Sequence, residues 1–521
     1  MKKYIVAIAI LSLLFISCKK WLGTNTDPAT PQNVAPHILM PPLFNQMERG
    51  LAGDYRYIGR YVQHWGLNTT NDPIERHGYT RNSDAMGEIW RTVYYGMGDN
   101  ISLMIEGANE EKKWEFVAAG YALRAWGWQM ASDYHGDIIL TQAFEKGRFI
   151  FDYDSQETVY AEVRRLCTLA LEYFDKTDGK LGVEAQFPSA DLIFGGNVGK
   201  WKKFIYGILA RNGQNLANKS VYNADAVISF VNQSLSSNAD NFLIPHPASP
   251  NSDNSNHYGP AKIPSIYPSL SGSYVQSNMI AQLLNGTIMN GVVDPRAPIM
   301  LVASPDNSYR GVKPGQGDPN RNASTTIINP TEIPNIYGIK SGVTPPVGTG
   351  RYLFRDNVSF PVMTYAEMEF IKSEAYYKKG DLGNSLIALK AGIGASMDFA
   401  GVTATNKSTY LASAAVPQTA AVLTLRDILL QKYIALWGYG TLETWNDMRR
   451  YHYDTSVYRG YTLLPEPSYS TGTLFEDNLG KLAYRVRPRY NSEYVWNLDA
   501  LKKVEGDRID YHTIEPWFIK P

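Results

Sequence analysis

The side chains best able to do chemistry in this 521-residue sequence are scattered rather than assembled. No G-x-S-x-G, H-E-x-x-H, Walker-type phosphate loop or C-x-x-C pair occurs, so the patterned routes to nucleophilic, metal-assisted and phosphoryl chemistry are missing. Asp152-Tyr153-Asp154 opens like a calcium loop, but Glu157 and Val163 stand where such a loop needs Gly and Glu. His135 beside Asp137 reads as a structural hydrogen-bond pair. Gly438-Tyr439-Gly440 has no strand before it to build a phosphate cradle, and Cys167, in the helical stretch Val159 to Phe174, reads as a small core residue. Fifty carboxylates leave a catalytic pair open, yet no motif points to one, and no metal or cofactor is implied.

Aromatic surface is what the chain has in quantity, with 35 Tyr, 11 Trp and 18 Phe. Tyr and Trp stack through their faces while an O–H or N–H makes a directed bond, which is the chemistry of binding rather than of conversion. Two stretches carry the best candidates. Tyr55, Tyr57, His64, Trp65, Asn68, Tyr79 and Arg81 fall in loops ahead of the first repeat helix, and Tyr258, Tyr267 and Tyr274 fall in a central loop-rich region. Trp65 and Tyr79 flank Asn68, Asn71 and Asp72, a set expected to stack on a ligand and fix its orientation. On that reading Trp65→Ala weakens ligand binding without unfolding the protein.

Cys18 is a different kind of reactive residue. Lys2 and Lys3 precede an uncharged apolar run from Tyr4 to Ile16, too short for a bilayer core that needs about 20 residues, so the segment reads as a cleaved export signal over residues 1–17. Phe15-Ile16-Ser17-Cys18 resembles a bacterial lipobox, whose cysteine is diacylated and becomes the mature N-terminus. The alternative is an ordinary secreted protein cut near Ser17. Cleavage changes 50 positive against 50 negative charges to 48 against 50, and so near-neutral a chain has no electrostatic footprint for nucleic acid. With Cys18 lipidated, Cys167 has no disulfide partner.

The elements that must position these residues are mainly helical. Trp201, Phe204, Ile205, Ile208 and Leu209 mark one apolar face, and Leu425, Ile428, Leu429 and Leu436 mark another. Between Trp114 and Ser132 the stripe Ala118, Ala122 and Ala125 predicts close helix packing, as in stacked hairpins. Further helices are expected over 84–106, 155–174, 365–379, 382–397 and 442–451. Helix content thus gathers at 84–220 and 362–451, around a Ser-, Asn-, Pro- and Gly-rich part at 221–360, with an irregular tail at 452–521 that packs down as a cover.

Several motifs, in order, resemble the SusD/RagB family of outer-membrane lipoproteins from Bacteroidetes. Asp133-Tyr134-His135-Gly136-Asp137-Ile138 with Thr141-Gln142-Ala143 is similar to its D-x-x-G-D-[VI]-P-x-[ST]-x-A signature, Ile139 replacing Pro. Glu367 to Ala375 resembles an E-x-x-F-I-x-A-E-A helix, with Ser373 for an Ala. Gln431-Lys432-Tyr433, then Glu443-Thr444-Trp445-Asn446-Asp447-Met448-Arg449-Arg450, resemble the next pair, and Arg487-Pro488-Arg489-Tyr490 with Glu493 and Asn497 the closing motif. Glu367, Glu374, Glu443 and Arg449 lie beside apolar helix positions and read as ion pairs of a scaffold rather than as ligand contacts. The resemblance implies a mainly α fold of tetratricopeptide-type hairpins in a superhelical scaffold over residues 18–521, with a loop-rich ligand part. It implies no catalysis. It implies a surface-facing lipoprotein of the outer membrane, tethered at Cys18, that captures an oligosaccharide or in some branches a peptide and passes it to a SusC-like TonB-dependent transporter.

Overall fold

The computed structural model describes residues 34–249, 251, 253–262, 272–324, 326–465 and 473–521; Cys18, its leader and Tyr267 lie outside them. Helices dominate, and they pack in succession. A long first helix, α1 (Pro36–Tyr61), is followed by α2 (Gly98–Glu110), α3 (Trp114–His135), α4 (Gln156–Phe174), α5 (Val198–Asn215) and α6 (Ala224–Gln233). After the loop-rich part come α7 (Tyr365–Lys379), α8 (Leu382–Ala400), α9 (Leu425–Leu436) and α10 (Thr441–Arg450). Each helix from α2 to α6 packs on the next, as do α7 on α8 and α9 on α10, while α6 also meets α7, so the two helical blocks form one superhelical stack of hairpins.

Local chemistry sets the boundaries. Ser155, Asn197, Thr364 and Asp381 each accept a backbone N–H at the start of α4, α5, α7 and α8. Thr424 and Asp427 form a reciprocal capping box on α9. Gly380, at φ 85°, ends α7 in the left-handed conformation, and Asp381 starts α8 at once, which makes a tight helical hairpin. The alanine stripe of α3 is fully buried, and beside it a Cβ on Gly120 would lie 2.5 Å from Ile105 of α2, so only glycine permits that approach.

Two expectations are corrected. Tyr55 and Tyr57 lie on α1 rather than in a loop. The apolar spacing of Met40, Leu43, Met47, Leu51, Tyr55 and Ile58 was present, but Pro41 and Pro42 inside the first turns masked it. The helix expected over 84–106 is divided: Glu88–Arg91 leads into a wide π turn at Thr92–Gly96 before α2 begins, with Gly96 and Gly98 at the break.

The loop-rich part is held to the helices by two short antiparallel pairs. Strand Trp65–Leu67 pairs with Tyr274–Gln276, and Phe242–Ile244 pairs with Phe360–Met363. Beneath them the motif charges are buried in matched sets. Arg211 grips Glu367 through two bonds at 2.6 and 2.7 Å and reaches Glu443 at 3.0 Å. Arg450 holds Glu374 at 2.6 Å and Asp447 at 2.5 Å, and Lys432 holds Asp447 at 2.7 Å. Among the described residues Arg449 makes no ion pair: it lies 3.8 Å over the Trp445 ring and donates to the carbonyls of Asp133 and Tyr484 at 2.7 Å. His135 bonds the carbonyl of Val486 and not Asp137, whose carboxylate instead receives the N–H of Gln156.

Candidate functional site

Most of the aromatic candidates face inward. Trp65 is 2% exposed, walled edge-to-face by Tyr258, Tyr274, Phe354 and Trp437 at 6.1 to 6.4 Å, and its N–H donates to the Arg56 carbonyl. No face of that ring is open to a ligand, so the structure replaces the stacking platform with a packed core. His64 is fully buried, and burial pushes its pKa down to about 3. Asn68 spends its amide on Ser341 at 2.6 Å, Tyr258 donates to the Gly438 carbonyl at 2.9 Å, and Tyr274 is buried within its strand. Tyr57 is half-buried under the Arg56 guanidinium, 4.3 Å from its ring centre. These side chains are drawn in because the strand pair at Trp65–Leu67 pins the segment beneath the loop-rich part.

Tyr79 and Arg81 behave differently. They line a cleft of about 320 Å³ between the segment 79–86 and the C-terminal tail, whose other walls include Arg487, Tyr490, Tyr494 and Ile509. Tyr490 and Tyr494 sit one turn apart on a π turn and stack with centroids 5.6 Å apart and planes 13° from parallel. Arg487 lies 4.6 Å over Tyr79 and 5.2 Å over Tyr494, held by the carbonyls of Gly506, Arg508 and Ile509 at 2.9 to 3.3 Å. The cleft therefore has a preset aromatic wall with a fixed guanidinium at its centre.

Supporting contacts hold the two walls together. Arg81 forms a two-bond pair with Asp477 at 2.7 and 2.5 Å, and the Tyr79 hydroxyl donates to the same carboxylate at 3.0 Å. Burial alone would raise the pKa of Asp477, but these partners hold it below the usual carboxylate range. Asp84 latches the tail by pairing with Arg489 and by accepting the backbone and side-chain N–H groups of Asn491, these last two at 2.8 Å. Behind the π turn, Glu493 accepts the Tyr153 hydroxyl at 2.7 Å and the Asn497 amide at 2.9 Å. His512 closes the floor, its pKa pushed down to about 3 by burial, so it is neutral and no acid catalyst at ordinary pH.

Arg487, Tyr490 and Tyr494 were missed as site residues, although the Tyr-and-Arg-rich tail and the four-residue spacing of Tyr490 and Tyr494 were visible signals. Among the described residues the cleft lining holds one carboxylate, Asp507, with hydroxyl and amide groups from Thr80, Asn82 and Ser83. Among the described residues no group of three or more His, Cys, Asp or Glu side chains could hold a metal ion, and no helix is long and apolar enough to cross a membrane. Such a surface can stack on rings and bond to hydroxyls.

A superhelical scaffold of helical hairpins, joined to irregular segments that carry an aromatic cleft, defines a helical-repeat protein. The family model described as "Starch-binding associating with outer membrane" matches residues 28–459, and the chain belongs to that SusD-like family. Solved structures agree on the fold. A SusD/RagB family protein from Bacteroides thetaiotaomicron superposes with a TM-score of 0.67 at 19% identity, over 94% of this chain and 99% of that one. A SusD-like protein from Bacteroidetes gives a TM-score of 0.69 at 19% identity over 94% and 100%. A chitin-binding SusD homolog from Flavobacterium johnsoniae gives 0.65 at 19% over 93% and 98%. No curated protein matches the chain.

Proposed function

We propose that this is a nutrient-binding lipoprotein of the outer membrane that takes a glycan oligosaccharide into the Tyr79–Tyr490–Tyr494 cleft and delivers it to a SusC-like TonB-dependent transporter. The observation that carries the reading is the cleft itself: parallel Tyr490 and Tyr494 rings, a fixed Arg487, and hydroxyl and amide groups around them. Sugar rings present a C–H face to such aromatics and hydroxyls to such polar groups. Capture would involve no bond making, since a glycosidase needs two facing carboxylates about 5 to 10 Å apart and, among the described residues, the lining offers Asp507 alone. Membership of a family described as starch-binding supports a glycan ligand, and the chitin-binding relative supports the same class. Residues 1–17 would be the leader and residues 18–521 the mature chain, anchored through acylated Cys18 and facing the cell surface.

The test is a calorimetric screen of oligosaccharides and short peptides against the soluble chain starting at Lys19, repeated with Tyr490→Ala. A glycan that binds saturably without turnover, at least tenfold more weakly in the variant, is the expected result. A peptide ligand, or a glycan bound equally by the variant, would overturn the assignment.

A further inference from the structure

A second concavity lies away from the cleft, on the helical scaffold. Residues of α2, α3 and α4, with the segment Leu140–Phe144, enclose a groove of about 680 Å³, within the range of roughly 300 to 1,000 Å³ that small-ligand sites occupy. Half-buried Tyr121 and Phe144 and buried Trp128 supply its aromatic surface.

Arg124 of α3 is the unusual group there. Its Nη2 donates to the Gly98 carbonyl and the Ser102 hydroxyl, both at 2.9 Å, and the guanidinium lies 4.7 Å from the Phe144 ring and 5.8 Å from Trp128. Its Nε is buried without a hydrogen-bond partner. Among the described residues Arg124 forms no ion pair, whereas the neighbouring rim cation Arg165 is engaged by Glu162 at 2.6 and 2.7 Å. Burial accordingly pulls the Arg124 pKa down to about 10, an effect that Asp99 and Glu162 offset only in part. A largely buried guanidinium without a counter-ion is costly: Arg211, Arg296 and Arg450 are paired, and Arg449, which is not, spends its donors on three carbonyls and the Asn446 amide oxygen.

We propose that this groove is a second ligand site, in which Arg124 receives the carboxylate of an acidic sugar ring while Phe144 and Tyr121 pack against that ring. Nη2 is spent on Gly98 and Ser102 and Nε is sealed from the groove, so Nη1 is the atom that would donate a charge-assisted bond to the carboxylate. The groove carries Glu106 and Glu162 against Arg124 and Arg165, so selectivity comes from direct contact and not from a net positive field.

The experiment compares trigalacturonic acid with neutral galactotriose by calorimetry on the mature soluble chain, in the parent protein and in Arg124→Gln, Arg124→Lys, Phe144→Ala and Tyr490→Ala. The acid should bind at least tenfold more tightly than the neutral sugar. That preference should vanish in Arg124→Gln, fall partway in Arg124→Lys, weaken in Phe144→Ala and persist in Tyr490→Ala, with melting curves confirming a folded protein. Equal binding of the two sugars, an acid preference that survives Arg124→Gln, or one lost with Tyr490→Ala would each overturn the proposal. Because the Tyr490→Ala arm reads the tail cleft and the Arg124 arms read the groove, failure of one site is distinguishable from failure of the other.

Discussion

The buried ion pairs beneath the loop-rich part and the cleft at the tail use the same residue types to opposite ends. In the first region Arg211, Arg450, Glu367, Glu374 and Asp447 are sealed from solvent, and each cation is gripped by carboxylates. In the second, Arg81 and Arg487 are also held, by Asp477 and by three carbonyls, but the faces they order remain open to a cavity. Charges in one region lock helices to one another; charges in the other lock a surface into shape for something else. The difference teaches that a motif dense in Arg and Glu on an apolar helix announces the scaffold, while the recognition surface is built from residues that a scaffold merely aims.

The largest break in this comparison should come from Arg450→Met. Removing the guanidinium leaves Glu374 and Asp447 buried with only Lys432 to compensate them, and breaking such a pair costs about 3 to 5 kcal/mol. Arg450 is what holds Glu374 charged, for burial alone would raise that carboxyl, yet its pKa is pulled down to about 2. Urea unfolding should show the loss in full, and a midpoint within error of the parent would show that these charges are not structural fastenings.

Trp65→Ala follows in size and tests the boundary between the two regions. The sequence places Trp65 with the ligand, but the structure places it among Tyr258, Tyr274, Phe354 and Trp437, where truncation opens a cavity worth about 3 to 5 kcal/mol. The expected outcome is a large fall in stability, with ligand affinity of the remaining folded protein unchanged. Reduced affinity at unchanged stability would return Trp65 to the site.

How much was legible follows from the same contrast. The helices of the scaffold were readable because period, caps and paired charges all point one way: α7 runs over Tyr365–Lys379 and α9 over Leu425–Leu436, as the apolar spacing predicts. The first helix was hidden by Pro41 and Pro42, whose cost is absorbed in the opening turns of a helix buried along most of its length. The cleft was only half visible. Tyr79 and Arg81 could be picked as an aromatic and a cation close together in a loop, but their partners come from about 400 positions later, and nothing local in a chain reports a contact of that separation. Aromatic residues near Trp65 looked the same in sequence as those near Tyr490; strand pairing with Tyr274–Gln276 buried the first set, and a π turn at the chain's end exposed the second.

A smaller effect, read through pH, sharpens the comparison further, because not every buried carboxylate has a cation among the described residues, and Asp54 is one that lacks it. Asp54 of α1 is fully buried; one of its oxygens accepts the Ile89 N–H at 2.8 Å, while the other has no partner. Burial pushes its pKa up to about 7, from an ordinary 3.8. Between those values the folded protein holds a proton that the unfolded chain has released, so stability falls as pH rises from about 4 to 7 and levels off above the folded pKa. Buried His64, His77 and His512, each held near 3, act in the opposite direction over part of this range, because the unfolded chain takes up protons they refuse. A pH scan of the parent alone would therefore mix the two. The difference between Asp54→Asn and the parent cancels the histidines: the variant keeps an oxygen for Ile89 and carries no charge, so its advantage should be near zero or negative at pH 4 and grow by about 2 to 4 kcal/mol by pH 8. A constant difference across that range in urea unfolding would mean that the folded protein compensates the Asp54 charge as closely as Arg450 compensates Glu374.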